Sequence, residues 1–303
     1  MDSPTARYRG RFAPSPTGPL HAGSLVAAVA SRCEALRRNG EWLVRMEDLD
    51  APRCIAGAAD TILSTLDALG FAWDGPVLYQ SRRSAAYAAA LARLGDGGHT
   101  FACACSRREV ADSGLAPDGE PIYPGTCRRG LAPGRMARTT RVRVDDAPIE
   151  FMDAVQGPQR EHLSRSVGDF VLKRADGFFA YQLAVVVDDA DQQVTHVVRG
   201  ADLLGSTARQ VWLQRLLCLP APAYAHVPVM TDAAGQKLSK QSLASPVDAA
   251  RPARQLVRSL RFLGQDPPVA LERAGVAEVW SWAREHWSLD RVPRVRSATE
   301  PAP

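Results

Sequence analysis

The sequence predicts an α/β fold built on a parallel sheet, and two patterns carry this prediction. Short apolar segments alternate with longer segments of helical character over residues 8–69, an order that requires crossover helices between parallel strands. The segment THVVRG at 195–200 is interpreted as a strand buried on both faces of such a sheet. A hydrophobic content of 46% and a charged content of 23% are ordinary for a globular protein.

The first 96 residues contain the clearest strand and helix signals. They predict a strand at 8–13, a helix at 23–39, a strand at 41–48, a helix at 53–69 and an Ala-rich helix at 80–95. Gly40 predicts the end of the first helix. Asp50, two residues before Pro52, predicts the N-cap of the second helix. We therefore expect residues 1–96 to form the first half of the sheet domain.

Residues 97–165 interrupt this pattern. From about 97 to 135, Cys, Gly, Pro and Arg dominate and no hydrophobic periodicity remains, which predicts an insertion stabilised by something other than an apolar core. Residues 138–157 alternate in the manner of a paired β-hairpin.

The sheet domain is expected to resume over residues 166–245. Its predicted elements are a strand and turn followed by a strand or helix at 169–190, a strand at 195–200, a helix at 206–217 and a strand at 223–231. Residues 246–303 are expected to be helical and to end in a disordered polar tail. The first of these helices carries Arg251, Arg254, Arg258 and Arg261, a basic face that either contacts nucleic acid or is simply solvated.

Charge and cysteine content restrict the class of protein. The net charge of +4 and the pI near 8.8 are compatible with a nucleic-acid partner but do not require one. No apolar run could span a bilayer and no secretory signal is visible, so we expect a cytoplasmic protein. In that compartment the six cysteines are thiols or metal ligands rather than disulfides. Cys33, Cys54 and Cys218 lie in apolar contexts and are expected in the core.

The loop after the first predicted strand has the features of a phosphate site. The segment PSPTGPLHAGS at 14–24 leads into a helix, whose N-terminus offers free N–H groups and a positive dipole end to an anion. His21 at the helix entrance can hydrogen-bond phosphate oxygens, and Gly23 allows a flat base to approach the backbone. The segment lacks the GxxxxGK[ST] pattern and is therefore not a P-loop.

A second segment, KLSKQ at 237–241, stands out against the composition. Only three of the 37 Lys and Arg residues are lysines, and two of them, Lys237 and Lys240, lie here. A compact ammonium on a flexible stem differs chemically from a guanidinium and suits a moving phosphate group. The segment therefore predicts a role that needs lysine rather than any positive charge.

These two segments resemble the signatures of class I aminoacyl-tRNA synthetases. PSPTGPLHAGS resembles the HIGH signature and KLSKQ the KMSKS loop, with Ser24 and Gln241 as departures that are familiar in the glutamate-type branch. The resemblance implies a Rossmann-like catalytic domain that holds ATP, with Mg²⁺, between the two segments. It implies that His21, Lys237 and Lys240 stabilise the α-phosphate as a carboxylate attacks it, and that His21, Gly23, Ser24 and Lys240 bind ATP.

Two further segments, RFAPSPTG at 11–18 and RMEDLDAPR at 45–53, resemble the glutamyl branch of that family. A glutamate site needs cations for two carboxylates and an acid for the ammonium group. The resemblance implies a pocket of Arg11, Phe12, Ala13, Pro14, Ser15, Glu47, Tyr181 and Arg199. In it the arginines would bind carboxylates, Glu47 the ammonium group, and Tyr181 would add a hydrogen bond.

Three cysteines in the predicted insertion suggest a structural zinc site. Cys103, Cys105 and Cys127 provide three thiolates, and tetrahedral zinc needs a fourth ligand. From spacing alone the fourth ligand is His99 or Tyr123. The pattern CxC…YxxxC resembles the glutamyl-queuosine tRNA(Asp) synthetases, truncated relatives of glutamyl-tRNA synthetase, and this resemblance implies Cys103, Cys105, Tyr123 and Cys127 around one zinc ion per chain. Three ordinary reduced thiols remain the alternative.

The length of chain after the second signature bears on the acceptor. Only 62 residues follow Gln241, so no anticodon-binding domain is expected. The resemblance implies an enzyme that activates L-glutamate with ATP without needing tRNA and then transfers glutamate to the queuosine base at the wobble position of tRNA(Asp). We expect this enzyme to be a monomer. Two alternatives stay open: a truncated synthetase that charges a tRNA 3′ end, and a non-catalytic relic that binds tRNA or senses an amino acid.

Overall fold

The protein contains a parallel sheet of the predicted kind. The computed structural model describes residues 7–111, 121–232 and 246–299. Strands β1 (Arg9–Phe12), β2 (Glu41–Met46) and β3 (Leu78–Tyr79) are parallel neighbours. Helices α1 (Ala22–Arg37) and α2 (Ala58–Ala68) form the crossovers between them. The register pairs Arg9 with Glu41 and Phe12 with Val44.

The second half of the sheet lies on the other side of β1. Strands β9 (His196–Gly200) and β10 (Ala223–Val227) are parallel and in continuous register. They follow helices α6 (Tyr181–Asp191) and α7 (Leu204–Leu216). The Thr195 N–H donates to Arg9 O at 2.9 Å, which places β9 beside β1. The two halves therefore present the carboxyl ends of their strands to the same edge.

The hairpin predicted over 138–157 is wrong. Strand β5 (Thr139–Val142) pairs with β4 (Thr100–Cys103) and β8 (Val171–Lys173) in an antiparallel sheet, whereas β6 (Ile149–Asp153) pairs with β7 (Gly157–Glu161) and with β10. The chain reverses direction after β6 instead. Asp153 accepts hydrogen bonds from the N–H groups of the turn, Gly157 adopts φ +76°, and β6 therefore pairs with β7 rather than with β5. Helices α3 (Ser84–Asp96), α4 (Arg107–Ala111) and α5 (Leu163–Ser166) complete this region.

The C-terminal helices pack on the first half of the sheet domain. Helix α8 (Pro252–Phe262) lies against α1 and buries Leu256, Val257 and Leu260. Helix α9 (Val276–His286) follows, and β12 (Ser297–Thr299) pairs with β11 (Val229–Thr231). Trp287 Nε1 donates to Glu34 of α1 at 2.7 Å. Among the described helices, none combines the length and apolar character needed to cross a membrane.

Two local predictions are wrong. Asp50 does not cap the second helix: α2 begins at Ala58 after Gly57, which adopts φ +75°. The Asp50 carboxylate instead accepts from Arg53 at 2.6 Å and lies 3.3 Å from Arg174. Among the cysteines expected in the core, Cys33 is buried, Cys54 is half-buried and Cys218 is exposed. Cys218 lies two residues beyond the end of α7, in the turn that follows the helix, where it adopts φ +50°.

Candidate active site

One cleft of about 610 Å³ opens at the carboxyl ends of β1, β2, β9 and β10. Ligands of open α/β sheets bind at this edge because the loops after parallel strands meet there. Every proposed glutamate or nucleotide residue within the described chain lines the cleft, namely Arg11, Phe12, Ala13, Pro14, Ser15, His21, Gly23, Ser24, Glu47, Tyr181 and Arg199. Lys237 and Lys240 lie outside the described residues. The structure thus gathers residues that are up to 188 positions apart in the chain.

The N-terminus of α1 forms one wall of the cleft. His21 is its N-cap, and His21 Nδ1 accepts from the Ser24 N–H at 3.2 Å while Nε2 donates to Ser24 Oγ at 2.9 Å. No acidic residue lies in the first turn. The positive end of the helix dipole and the free N–H groups therefore face the cleft without a compensating carboxylate from that turn.

The described residues on both sides of the lysine-bearing segment border this wall. Val229, shortly before the segment, lines the cleft. Immediately after the segment, Pro246 forms a β-bridge with His21, and the Val247 N–H donates to Leu20 O at 2.9 Å. The chain therefore leaves and returns next to the N-terminus of α1.

A buried set of charges supports Arg11 from behind. Arg11 donates through Nε and Nη2 to the Asp189 carboxylate at 3.1 and 3.3 Å. Arg45 Nη2 donates to the same carboxylate at 2.7 Å. Burial alone would raise the pKa of Asp189, but the two arginines lower it below its ordinary value. Asp189 therefore remains ionised and holds both guanidinium groups in place.

Glu47 differs from Asp189 in its surroundings. It lies one residue beyond β2, and its nearest cationic atom, Arg45 Nη2, is 3.6 Å from Oε1. Glu47 Oε1 is buried and has no hydrogen-bond partner within the described chain. Burial, only partly offset by Arg45 and Arg11, raises the pKa of Glu47 to about 7. An incoming cation would satisfy this oxygen and favour the ionised carboxylate.

Sequence reasoning did not find the groups that hold these side chains. Asp189, Arg45 and His226 are buried and were not singled out. A signal was present for two of the three: Asp188 and Asp189 interrupt an apolar helix, and His226 stands in the apolar strand AYAHV. A buried polar group needs a partner, but its partner cannot be identified without the fold.

The three cysteines of the insertion form a compact buried cluster. The Sγ atoms of Cys103, Cys105 and Cys127 all lie within 4.8 Å of one another. Cys105 Sγ and Cys127 Sγ are 3.7 Å apart, and tetrahedral zinc with Zn–S bonds of about 2.3 Å places sulfurs about 3.8 Å apart. Tyr123 Oη lies 3.4 Å from Cys103 Sγ. Within the described part of the chain, His99 is not a member of this cluster.

The electrostatics of this cluster favour a thiolate at Cys103. Burial by itself would raise its pKa, but hydrogen bonds with Tyr123 and the Cys105 N–H, together with Arg141, lower the pKa of Cys103 to about 7. Arg141 lies 3.8 Å above the Tyr123 ring. The sulfur spacing, the burial and the nearby phenol fit a tetrahedral metal ion. The fold therefore brings together the three cysteines that their spacing in the sequence predicts as metal ligands.

Known proteins resemble this chain in sequence and in fold. Residues 7–252 match the family model described as tRNA synthetases class I (E and Q), catalytic domain. The chain is 62% identical over 296 residues to the glutamyl-Q tRNA(Asp) synthetase of Dechloromonas aromatica, covering 97% of each chain. It is 58% identical over 301 residues to the protein of the same name from Aromatoleum aromaticum, covering 99% of this chain and 95% of the relative.

The chain belongs to the class I tRNA synthetase family. Within it, the relatives just described are glutamyl-Q tRNA(Asp) synthetases, so the branch expected from the sequence is confirmed. As a class I synthetase the protein is a ligase that uses ATP with Mg²⁺. The solved glutamate-tRNA synthetase of Elizabethkingia anophelis superimposes with a TM-score of 0.80 at 24% identity, over 98% of this chain and 68% of that one. This likeness shows the fold, and it confirms the predicted α/β class.

The paired arginines generate a prediction about Asp189. Asp189→Asn removes the charge that Arg11 and Arg45 share, so we expect it to lower the free energy of unfolding by roughly 3–5 kcal/mol, as when one partner of a buried ion pair is lost. Urea-induced unfolding followed by circular dichroism measures this. Asp191→Asn on the same helix is the matched control, since Asp191 pairs with Arg83 at the surface and its loss should cost about 0–1 kcal/mol. Equal losses in both variants would contradict the role given to Asp189.

Proposed function

We propose that the protein activates L-glutamate with ATP and transfers it to queuosine at the wobble position of tRNA(Asp). The observation that carries this proposal is that one cleft combines a helix N-terminus whose first turn holds no acidic residue with the side chains of Arg11, Arg199 and Glu47. The relatives that match this chain over nearly their whole length are named glutamyl-Q tRNA(Asp) synthetase. We take glutamate, queuosine and tRNA(Asp) from that name as the substrates. In this proposal the protein acts as a monomer in the cytoplasm, and all residues that line the described cleft come from one chain.

In this proposal the charges of the cleft match those of glutamate. Arg11 and Arg199 bind the two carboxylates, and Glu47 binds the ammonium group. Tyr181, at the first position of α6, adds a hydrogen bond next to Glu47. Residues 12–15, at the end of β1 and just after it, also line this part of the cleft. Charge-assisted hydrogen bonds at both ends of the ligand favour an amino acid with two carboxylates.

The nucleotide lies at the N-terminus of α1. His21, Gly23 and Ser24 border the phosphates and the base. We assign the stabilisation of the α-phosphate to Lys237 and Lys240 as well, because described residues before and after their segment, Val229 and Pro246, border the same wall. A glutamate carboxylate oxygen attacks the α-phosphorus, the bond to the pyrophosphate oxygen breaks, and glutamyl-adenylate and pyrophosphate result. Positive groups placed in advance where negative charge develops lower the barrier. A queuosine hydroxyl then attacks the activated carbonyl, and AMP leaves.

The cysteine cluster holds a structural zinc ion in this proposal. Cys103, Cys105, Tyr123 and Cys127 would be its ligands. The hydrophobic cluster of this region consists of these four residues, Phe101 and Ala104, so little apolar core exists apart from the ligands themselves. When bound, zinc supplies cross-links among β4, its following loop and the Tyr123–Cys127 turn. Such a site stabilises a small region, here the cysteine-containing insertion, that buries too little apolar surface to be stable by itself.

The proposed function is tested by two assays on the purified protein. ATP–pyrophosphate exchange should depend on glutamate and proceed without tRNA. Labelled glutamate should then be transferred to tRNA(Asp) that carries queuosine but not to the same tRNA with guanosine at that position. The label should survive removal of the 3′-terminal nucleotide. Label on both tRNAs, lost with that nucleotide, would show 3′-end charging instead, and absence of exchange by folded protein would show a non-catalytic relic.

The raised pKa of Glu47 generates a prediction for glutamate binding. Only the ionised carboxylate attracts the ammonium group, so the Kd for glutamate should increase as the pH falls through about 7, by about tenfold per pH unit once Glu47 is mostly protonated. Glutamate itself keeps its charges between pH 5.5 and 8.5. Calorimetric titration without ATP measures this Kd. The Glu47→Gln variant should bind weakly and without this pH dependence, and a flat profile for the unaltered protein would contradict the assignment.

The zinc proposal generates a prediction for metal content. Protein purified without chelators should contain one zinc per chain by mass spectrometry. Cys105→Ser removes a thiolate and should lose most of the metal and lower the melting temperature. Cys218→Ser is the matched control, because Cys218 is exposed and lies outside the cluster. Metal-free unaltered protein, or equal metal loss in both variants, would contradict the proposed site.

A further inference from the structure

A buried chain of hydrogen bonds lies behind Arg199 and outside the cleft. It consists of Asp153 in β6, His226 in β10 and Thr207 in α7. Their exposed fractions are 1%, 0% and 0%, and none of them lines the cleft. Burying a polar group costs hydration free energy, and hydrogen bonds within the protein must replace it. The partners of these three side chains are therefore informative.

Asp153 is the fixed end of this chain. Its Oδ1 accepts from the N–H groups of Val155, Gln156 and His226 at 3.0, 2.8 and 3.1 Å. Burial alone would raise the pKa of Asp153, but the hydrogen bonds from His226 and Gln156 lower it below its ordinary value. Asp153 is therefore an ionised acceptor held by the backbone of β10 and of the turn that follows β6.

This acceptor determines which nitrogen of His226 carries the proton. His226 Nδ1 lies 2.6 Å from Asp153 Oδ2, and a carboxylate can only accept, so Nδ1 donates. Burial and the charge of Arg199 hold the pKa of His226 below its ordinary value, against the opposing effect of Asp153. The imidazole is therefore neutral, and its Nε2 is left as an acceptor.

That acceptor orients Arg199. Arg199 Nε donates to His226 Nε2 at 3.0 Å, and Arg199 Nη2 donates to Thr207 Oγ1 at 2.9 Å. The third nitrogen, Nη1, is buried and has no hydrogen-bond partner in the described part of the chain. Since Arg199 lines the cleft, two of its nitrogens are anchored to the protein and one remains for a ligand.

We propose that Asp153, His226 and Thr207 are positioning residues that fix Arg199 so that Nη1 alone donates to a carboxylate of the amino acid substrate. This proposal rests on the proposed function. An arginine held in advance loses less side-chain freedom on binding, so its hydrogen bond contributes more to affinity. A His226 proton on Nε2 would oppose the Arg199 N–H and move the guanidinium group away.

The test uses three variants and the KM values from ATP–pyrophosphate exchange. His226→Asn keeps a donor for Asp153 but leaves Arg199 Nε without an acceptor. Thr207→Val keeps the side-chain shape but removes the nearer acceptor of Nη2, at 2.9 Å, and leaves only the longer contact with Leu203 O at 3.4 Å. We expect His226→Asn to raise the KM for glutamate by about tenfold, the effect of one lost hydrogen bond to a charged group, while the KM for ATP stays within about twofold. His226→Gln places an amide oxygen near Arg199 and should restore most of the affinity.

The control for general destabilisation is His196→Asn. His196 lies in β9, is half-buried against Tyr8 and does not line the cleft. It should leave both KM values unchanged, and circular dichroism establishes the folding of each variant. If His226→Asn does not fold, Thr207→Val decides, since we expect it to raise the KM for glutamate severalfold. A folded His226→Asn or Thr207→Val with an unchanged KM for glutamate would overturn the proposal, whereas unaltered protein without exchange would overturn the proposed function.

Discussion

The buried carboxylate of Asp189 is the interaction on which the cleft depends. Two arginines from neighbouring strands, Arg11 and Arg45, donate to it within the sheet domain. Without it they would repel each other in a region of low dielectric constant, where an unpaired charge is costly. Because Asp189 shares α6 with Tyr181, the helix that lines the cleft also supplies the charge that holds Arg11. The site is therefore coupled to the core rather than added to its surface.

The sequence predicts the parts of the fold that follow from local pattern. The order of strands and helices, the helix entrance at His21 and the cysteine cluster are all visible in it, because hydrophobic period and motif spacing are local properties. The partners of β5 and β6 and the Asp153 turn are not local. Asp189 lies 178 residues from Arg11 and His226 lies 73 residues from Asp153. A sequence can mark such residues as unusual, but only the fold shows what they bind.

The sheet domain and the cysteine-containing insertion are stabilised in different ways. The sheet domain, with its helices, buries apolar side chains such as Trp42, Leu66 and Val227. The cysteine region has no comparable core within the described residues, and its buried groups are mainly potential metal ligands. The fraction of surface that is buried on folding increases with domain size. The small cysteine-containing insertion therefore needs another source of stability. The three sulfurs already lie within 4.8 Å of one another, and this proximity would limit the rearrangement needed to bind a metal ion.

Arg11 and Arg199 are both held from behind, but by different chemistry. Arg11 is held by an anion, and Arg199 by a neutral imidazole whose proton is fixed by Asp153. A carboxylate behind Arg199 would neutralise its charge, whereas an imidazole orients the guanidinium and leaves that charge available to the ligand. Asp189 already binds two arginines, so the pair Arg11 and Arg45 keeps a net positive charge. Glu47 is the cleft acid whose pKa lies near neutrality. The arginines of the cleft keep their charge because a guanidinium group has a very high pKa. The charge of Glu47 is therefore the one in this set that changes near neutral pH.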